Sequence, residues 1–341
     1  VKKVLITGGA GFIGCNYAAR LISAGYQVTI FDNLSRRGTS SNVQWLREQF
    51  GADGFQLIQA DVRDADALAA AAKEQDAIYH LAAQVAVTTS VRNPREDFEI
   101  NALGTFNVLE AARLSGRQPV VVYASTNKVY GGMEEVRIVE KESRWEYADL
   151  PNGLSEQQPL DFHSPYGCSK GAGDQYTRDY ARIYDIPTVV FRQSCIYGLR
   201  QFGVEDQGWL AHFVIAVAKQ RPFSIYGDGK QVRDMLWVGD LLNAYDIALQ
   251  QPTKVAGKIY NIGGGPTFTL AIWREVEPIL RELAGYQPQV TFGDWRPGDQ
   301  RVYISDIRAA ARDLGWQPQV SPKQGVTQLW NWVSSNLSLF P

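Results

Sequence analysis

Only three histidines, three cysteines and two methionines occur among the 341 residues. The cysteines, Cys15, Cys168 and Cys195, are odd in number and lack the spacing of metal ligands. They form neither a disulfide framework nor a metal site, and read as free thiols of a reducing, cytoplasmic compartment. No apolar run approaches the ~20 residues of a membrane helix, so no membrane association is expected. The opening "VKKVLITGG" enters a strand almost at once. No secretory leader, with its charged and apolar regions, is therefore expected. An excess of one charge is missing too: 34 Lys and Arg face 36 Asp and Glu, for a formal net charge of −2. Electrostatic binding of nucleic acid is therefore not expected, and no block of like charge forms an interaction tail. With so few histidines, any proton chemistry near neutrality falls to other side chains.

What the chain has is a 45% hydrophobic content, enough for a large core. Apolar runs such as "KKVLIT", "QVTIFD", "DAIYHLA", "PVVVYAS", "TVVFR" and "KIYNIG" alternate with amphipathic stretches such as "NYAARLISAG" and "LGTFNVLEAARLSG". Continuous rather than alternating apolar strands belong to parallel sheets covered on both faces. The pattern predicts an α/β fold with a doubly wound parallel sheet over residues 1–190. A smaller C-terminal α/β domain for substrate is expected over 191–341, with the chain re-entering the sheet near 231–262. "EVRIVEKESRWEYADLPNGLSEQQPLD" reads as one long irregular connection.

"VLITGGAGFIGCNYAARL" places Gly8, Gly11 and Gly14 between a strand and a helix, with Phe12 and Ile13 between the last two glycines. Such glycines allow a tight turn and close approach of backbone to a pyrophosphate at the positive helix end. The spacing is G-x-x-G-x-x-G. In "TIFDN" an acidic residue, Asp32, closes the second strand, followed by Asn33. A carboxylate there accepts from ribose hydroxyls and repels a 2′-phosphate, which predicts NAD on a Rossmann-type domain. Arg36 and Arg37, close behind, soften that preference in principle. Asp61 and Val62 end the third strand at the expected adenine edge; alternatively, Asp61 caps the helix of "DADALAAAA".

Residues 164–170 read "SPYGCSK". Tyr166 and Lys170, four apart on a helix, project from one face. A free tyrosine has a pKa of about 10, so acting as a base near pH 7 requires roughly 4 kcal/mol of stabilisation of the phenolate. A nearby ammonium supplies part of it. The glycine spacing with this pair, "HLAA" at 80–83 and "VYG" at 129–131 resemble the extended short-chain dehydrogenase/reductase superfamily. The resemblance implies that Leu81, Gln84 and Asn101 line the cofactor channel. It implies that Thr126 of "YASTNKVYG" completes a catalytic set with Tyr166 and Lys170, and that Ser125 touches the cofactor. Tyr166 would remove a sugar hydroxyl proton as hydride leaves to NAD, while Lys170 also holds the nicotinamide ribose. His80 reads as strand-end packing, and Thr126 has the alternative of satisfying the strand end.

Sugar-nucleotide 4,6-dehydratases of this superfamily carry Asp-Glu after that threonine. Here Asn127 and Lys128 follow it, which disfavours water elimination. "STNKVYG", "QVAVTTSVRNPREDFEINALGT", "PLDFHSPYGCSKGAGDQY", "GDGKQVRDMLWVGDL" and "DQRVYISDI" resemble the CDP-tyvelose (CDP-paratose) 2-epimerase family along nearly the whole chain. The resemblance implies NAD-dependent inversion at C2 of a CDP-dideoxyhexose through a transient 2-keto sugar, a step of deoxysugar synthesis of the lipopolysaccharide type. It implies that Arg233 and Arg296 bind the diphosphate, with Arg200 a third candidate, and that Thr126, Asn127, Gln193 and Ser194 face the sugar. Each arginine has the alternative of a surface charge. Many relatives have asparagine where this chain has Cys195. His163 either touches the site or packs in its loop, and Cys168 is expected in the core. Relatives pair through two helices per subunit, so a homodimer or homotetramer is implied. A nucleotide-sugar 4-epimerase is the rival enzyme of the same fold. A non-catalytic NAD-sensing protein is the rival from another class, but such proteins typically lose the tyrosine–lysine pair.

Overall fold

A computed structural model describes residues 2–296 and 299–340. The chain forms two compact units. The first comprises Val1–Val129, Phe162–Arg192 and Leu242–Tyr260, the second Tyr130–Asp161, Gln193–Leu241 and Asn261–Pro341.

The first unit is organised on a seven-stranded sheet. Its strands are β1 (Lys3–Thr7), β2 (Gln27–Phe31), β3 (Gln56–Ile58), β4 (Ala77–His80), β5 (Val120–Thr126), β6 (Thr188–Gln193) and β7 (Lys258–Ile262). Their order is β7-β6-β5-β4-β1-β2-β3. β1 runs parallel to β2 and β4, β2 to β3, and β4 to β5. The expected doubly wound α/β fold is thus met. Val4, Leu5, Ile6, Ile78 and Val122 are at most 1% exposed, as strands covered on both faces require. Each such side chain contributes about 1.5–3 kcal/mol by leaving water. The chain fills one side of β1 with β2 and β3, then returns to the other side with β4. Strand order reverses there, where Thr7 pairs with His80, and open α/β sheets bind ligands outside the strand ends at such a switch.

The Ser164–Tyr184 helix packs against β5. Pro165 lies in its first turn, and Asp185, left-handed at φ 55, ends it. Tyr166, Lys170, Asp174 and Thr177 recur at helical spacing and are all buried. Asp174 forms a buried two-point ion pair with Arg192 of β6, Nε to Oδ2 at 2.9 Å and Nη2 to Oδ1 at 3.0 Å. The Ser125 hydroxyl donates to the same carboxylate at 2.7 Å.

The second unit is built from shorter strands. Val232–Asp234 lies between antiparallel Thr269–Ala271 and parallel Val302–Tyr303. The connection expected to be irregular contains an antiparallel hairpin, Ile138–Glu140 against Trp145–Tyr147. Three-residue strands are too short for an alternation to stand out in sequence. A capping box at Ser321 and Gln324 starts the Pro322–Ser335 helix. Among the described residues no helix is long and apolar enough to cross a membrane, and no cluster of His, Cys, Asp and Glu is arranged to hold a metal.

Asp174→Ala removes the carboxylate that meets the buried Arg192 guanidinium at two points. Denaturant unfolding of the variant should show a loss of about 3–5 kcal/mol. A loss below about 1 kcal/mol would remove the pair from any structural role.

Candidate active site

The glycine turn is shaped by contact with the end of β4. Gly8 has φ +68, and a Cβ on it would lie 2.6 Å from Ala82 N. A Cβ on Gly14 would lie 2.4 Å from Gly8 O, so the Phe12–Ser23 helix is drawn tightly against the turn. Gly11 is the residue before that helix. No side chain caps this end, and its first turn carries no acidic residue. The first amides, including those of Phe12, Ile13 and Gly14, have no partner within the helix, as an anion-binding helix start requires. This cradle fits a dinucleotide pyrophosphate.

Asp32 directly follows β2 and is 8% exposed. Its Oδ2 accepts from Ala10 N at 3.0 Å, and its Oδ1 from Leu34 N at 2.8 Å. Burial pushes the carboxyl up, and the two amides oppose that shift. Each oxygen keeps acceptor capacity for a ribose hydroxyl. Asn33 Nδ2 donates to Asp61 Oδ2 at 2.9 Å. Arg63 grips Asp61 at 2.8 and 2.9 Å, and these hydrogen bonds chiefly hold its carboxyl down, to about 2. The cap of the Ala65–Ala72 helix is Asp64, whose side chain accepts from Ala67 N, so the capping alternative for Asp61 falls. Val62 is buried in the core, and its carbonyl accepts from Asn107 Nδ2 at 3.0 Å.

Leu81 N donates to Thr7 O at 3.0 Å, carrying β4 past the glycine turn. Gln84 and Asn101 are locked together: Gln84 N donates to Asn101 Oδ1, and Asn101 Nδ2 to Gln84 O, each at 2.9 Å. Asn101 lies in a π-helical turn, Glu99–Leu103, a feature that recurs at functional sites. His80 is fully interior. Thr105 Oγ1 donates to Asn101 O, so it must accept from His80 Nε2–H at 3.0 Å, leaving Nδ1 to accept from Thr7 Oγ1 at 2.7 Å. Burial drops its pKa to about 3, so His80 is neutral packing, as expected from the sequence.

Thr126, Tyr166 and Lys170 are buried, at 7%, 8% and 4% exposure. Tyr166 N donates to Ser90 Oγ at 3.1 Å, fixing the start of its helix. Thr126 Oγ1 accepts from Lys128 N at 3.2 Å and has one proton to give. It reaches Asn127 Oδ1 only at a long 3.3 Å, and the Tyr166 phenol competes for the same proton. Lys170 Nζ sits 4.3 Å over the Tyr123 ring. An ammonium neighbour leads one to expect a phenol drawn down toward neutrality. In the protein alone burial wins, and Tyr166 is pushed up to about 12 despite its hydrogen bond with Thr126. Burial also lowers Lys170 to about 7, opposed by Asp174 and Asp97.

Ser125 donates its proton to Asp174, which leaves its lone pairs for a cofactor donor. One expectation needs correction. Cys168 is exposed rather than core. It turns off the Tyr166–Lys170 face, and that opposite face meets solvent. His163 is exposed as well.

In the second unit, Gln193 is 8% exposed, and Ser194 Oγ donates inward to Asp234 Oδ1 at 2.6 Å. Cys195 adopts φ 42 and Arg200 φ 65. The Arg200 guanidinium lies 5.7 Å from the Trp332 ring. Arg233 donates to Asp299 Oδ1 at 2.7 Å, and Arg296 to Glu205 Oε1 at 3.0 Å while lying 3.9 Å over the Tyr226 ring. Neither is an idle surface charge. Sequence reasoning missed the interior carboxylates Asp97 and Asp174. The spacing Tyr166, Lys170, Asp174 was the available signal for the second.

A switch-point glycine turn, an acidic residue ending the next strand and a buried tyrosine–lysine pair beside a threonine define a short-chain dehydrogenase/reductase of the extended type. The chain belongs to the GDP-mannose 4,6 dehydratase family, whose family model matches residues 5–329. It is 43% identical to a CDP-paratose 2-epimerase of Salmonella typhi over 98% of this chain and 99% of that one. Among solved structures it is similar to the UDP-glucose 4-epimerase of Thermotoga maritima with UDP-glucose, at TM-score 0.84 and 28% identity over 98% of this chain and 99% of that one. It is also similar to a dTDP-glucose 4,6-dehydratase of Streptomyces venezuelae with NAD and TYD bound, at TM-score 0.83 and 29% identity over 98% of both chains.

Titration calorimetry checks the cradle. Gly14→Ala should abolish measurable NAD binding, because its Cβ meets backbone. Asp32→Ala should weaken NAD about tenfold or more, the loss of a charged hydrogen bond, and narrow its advantage over NADP. Equal affinity of the unaltered protein for NAD and NADP would refute the role given to Asp32.

Proposed function

We propose that the protein is an NAD-dependent isomerase that inverts C2 of a CDP-linked dideoxyhexose, of the CDP-paratose to CDP-tyvelose type. The observation that carries this choice of carbon and nucleotide is the 43% identity over 98% of the chain to the Salmonella typhi 2-epimerase. The residues beside Thr126 support it: Asn127 and Lys128 provide no carboxylate pair for water elimination.

The amides of Phe12 to Gly14 and Asp32 would hold NAD, which when bound would supply reversible hydride acceptance and a positively charged ring. The chain's own residues handle the proton. Tyr166 Oη takes it from the sugar O2 as C2 becomes a carbonyl, and gives it back once the opposite face is reduced. Thr126 donates toward Oη, which steadies the phenolate, and the Lys170 ammonium adds to that. Gln84 and Asn101, locked to each other, shape the channel floor. Arg233 and Arg296 anchor the diphosphate by exchanging Asp299 and Glu205 for phosphate oxygens, with Arg200 as a third contact; guanidinium forks suit that exchange. Gln193 and Asn127 offer amides to the sugar, and Ser194 offers lone pairs.

Deuterium at C2 tests the reading. CDP-paratose deuterated at C2 should give inverted product that keeps the label in ordinary water, with no NADH accumulating. Tyr166→Phe should lower turnover by about 10²-fold or more while NAD binding survives. Loss of label to water would overturn transient oxidation. Inversion only at C4, with label retained, would move the chain to the 4-epimerases.

A homo-oligomer belongs to the same proposal. Phe106 and Leu114 of the Gly104–Leu114 helix and Tyr176 and Ile183 of the Ser164–Tyr184 helix are 39%, 67%, 52% and 62% exposed. Phe106 meets Tyr176 edge-on at 6.1 Å. Such an apolar stripe marks an interface, here with a second copy. Sedimentation should show a dimer or tetramer that Tyr176→Glu dissociates, and a monomeric unaltered protein would reject it.

A further inference from the structure

The interior of the first unit holds two carboxylates that the proton chemistry does not use. Asp97 and Asp174 are both 0% exposed. Asp174 is met by the Arg192 guanidinium at two points, so that charge is neutralised within the pair. Asp97 is different. Its Oδ1 accepts from Gln84 Nε2 at 2.8 Å and Asn101 Nδ2 at 3.1 Å, and its Oδ2 from Ser169 Oγ at 2.5 Å. All three donors are neutral. Three neutral hydrogen bonds hold a carboxylate in place, but they do not cancel its charge.

The cations nearby are otherwise engaged or exposed. On its own segment, Arg95 is 88% exposed along its side chain and pairs with Glu99, while Glu96 joins Asn93. Arg92, on the Val87–Arg92 helix, is exposed. Arg63 belongs to Asp61. Arg36 acts on Tyr166 and Asp32. His80, on β4, is neutral. What remains is Lys170, next in sequence to Ser169, whose hydroxyl lies on the Asp97 carboxylate. Lys170 Nζ has the Tyr123 ring on one side; burial disfavours its charge, and Asp174 and then Asp97 favour it.

We propose that Asp97 is the buried counter-charge of Lys170, a positioning residue that keeps the lysine an ammonium. It rests on the reading of Lys170 as part of the proton-handling pair. Asp174 is already met by Arg192, so Asp97 is the carboxylate without a cation in contact that acts on Lys170. Burial chiefly keeps the Tyr166 phenol protonated, and Asp97 adds to that.

The test is Asp97→Asn, nearly identical in shape. Its carbonyl keeps the bonds from Gln84 and Asn101. Its amide donates to Ser169 Oγ, which turns its proton to Tyr166 O, already 3.2 Å away. Lysine-labelled NMR follows the Lys170 side chain, assigned by its loss in Lys170→Arg, in the protein without substrate. This readout does not depend on which sugar is turned over. The Lys170 midpoint should fall by about one pH unit or more in Asp97→Asn, the size of an opposite-charge contact. It should hold in Asp97→Glu, which restores the charge, and in Ser169→Ala, which removes a bond but no charge. In turnover, the acid limb of the pH profile should move down in Asp97→Asn with KM unchanged. An unmoved midpoint in Asp97→Asn, or an equal fall in Ser169→Ala, overturns the proposal. Should Asp97→Asn not fold, Asp97→Ser removes the same charge and is read against the same two outcomes.

Discussion

A lysine placed in the interior against an aromatic face is the constraint around which the first unit is arranged. An isolated charge taken out of water costs several kcal/mol, and the usual outcome is loss of the proton. At Lys170 burial carries the pKa down to about 7, and two carboxylates and an aromatic face resist it. Those groups come from different parts of the sheet and its covering helices: Tyr123 from β5, Asp174 from the same helix as Lys170, and Asp97 from the Pro94–Phe98 turn of helix. Each must be fixed to within hydrogen-bonding accuracy. Hence the two-point Arg192 contact on Asp174 and the three donors on Asp97. Stability and chemistry share these residues.

The same logic explains Tyr166. The phenol is raised, not lowered, in the protein by itself. A tyrosine that ionised readily without cofactor would be an unpaired anion in the interior. By staying protonated it remains a neutral hydrogen-bonding group. On the proposed reading, positive charge brought by the bound dinucleotide is what would draw the phenol down.

Much of this was legible in the chain. The glycine turn, Asp32 and the tyrosine–lysine spacing are local patterns, each defined within one strand–turn–helix or one helix face. The sheet strands were legible because full burial demands unbroken apolar runs. The residues that escaped are those whose role depends on contacts across elements. Nothing local distinguishes Asp97 from a surface acid, since it follows Pro94, Arg95 and Glu96 at the start of an ordinary helix. Asp61 looked like a helix cap because three aspartates follow the strand within six residues, and only the geometry selects Asp64. Cys168 looked buried because cysteine usually is. The helix has a solvent face, and its spacing from Tyr166 places it there. The short hairpin of Ile138–Glu140 and Trp145–Tyr147 is too brief to announce itself.

Cys195 shows how the proposed reaction differs from simple tight binding. Its φ of 42 lies in the left-handed region, where asparagine is at home and most side chains cost roughly 1–2 kcal/mol. The family resemblance implies that many relatives have the asparagine. This chain keeps the backbone conformation while giving up the residue that suits it. It also gives up an amide for a thiol, a weak donor and weak acceptor. In an enzyme that held one sugar pose, that exchange would be a loss. An epimerase must present both faces of one carbon to the same acceptor, so the ring has to be released between the two half-reactions. An amide gripping a ring hydroxyl would favour one pose over the other and slow the turn. Guanidinium forks on a diphosphate hold the molecule without discriminating between the poses. On the proposed reading, weak contacts at the sugar and strong ones at the phosphates are what inversion requires.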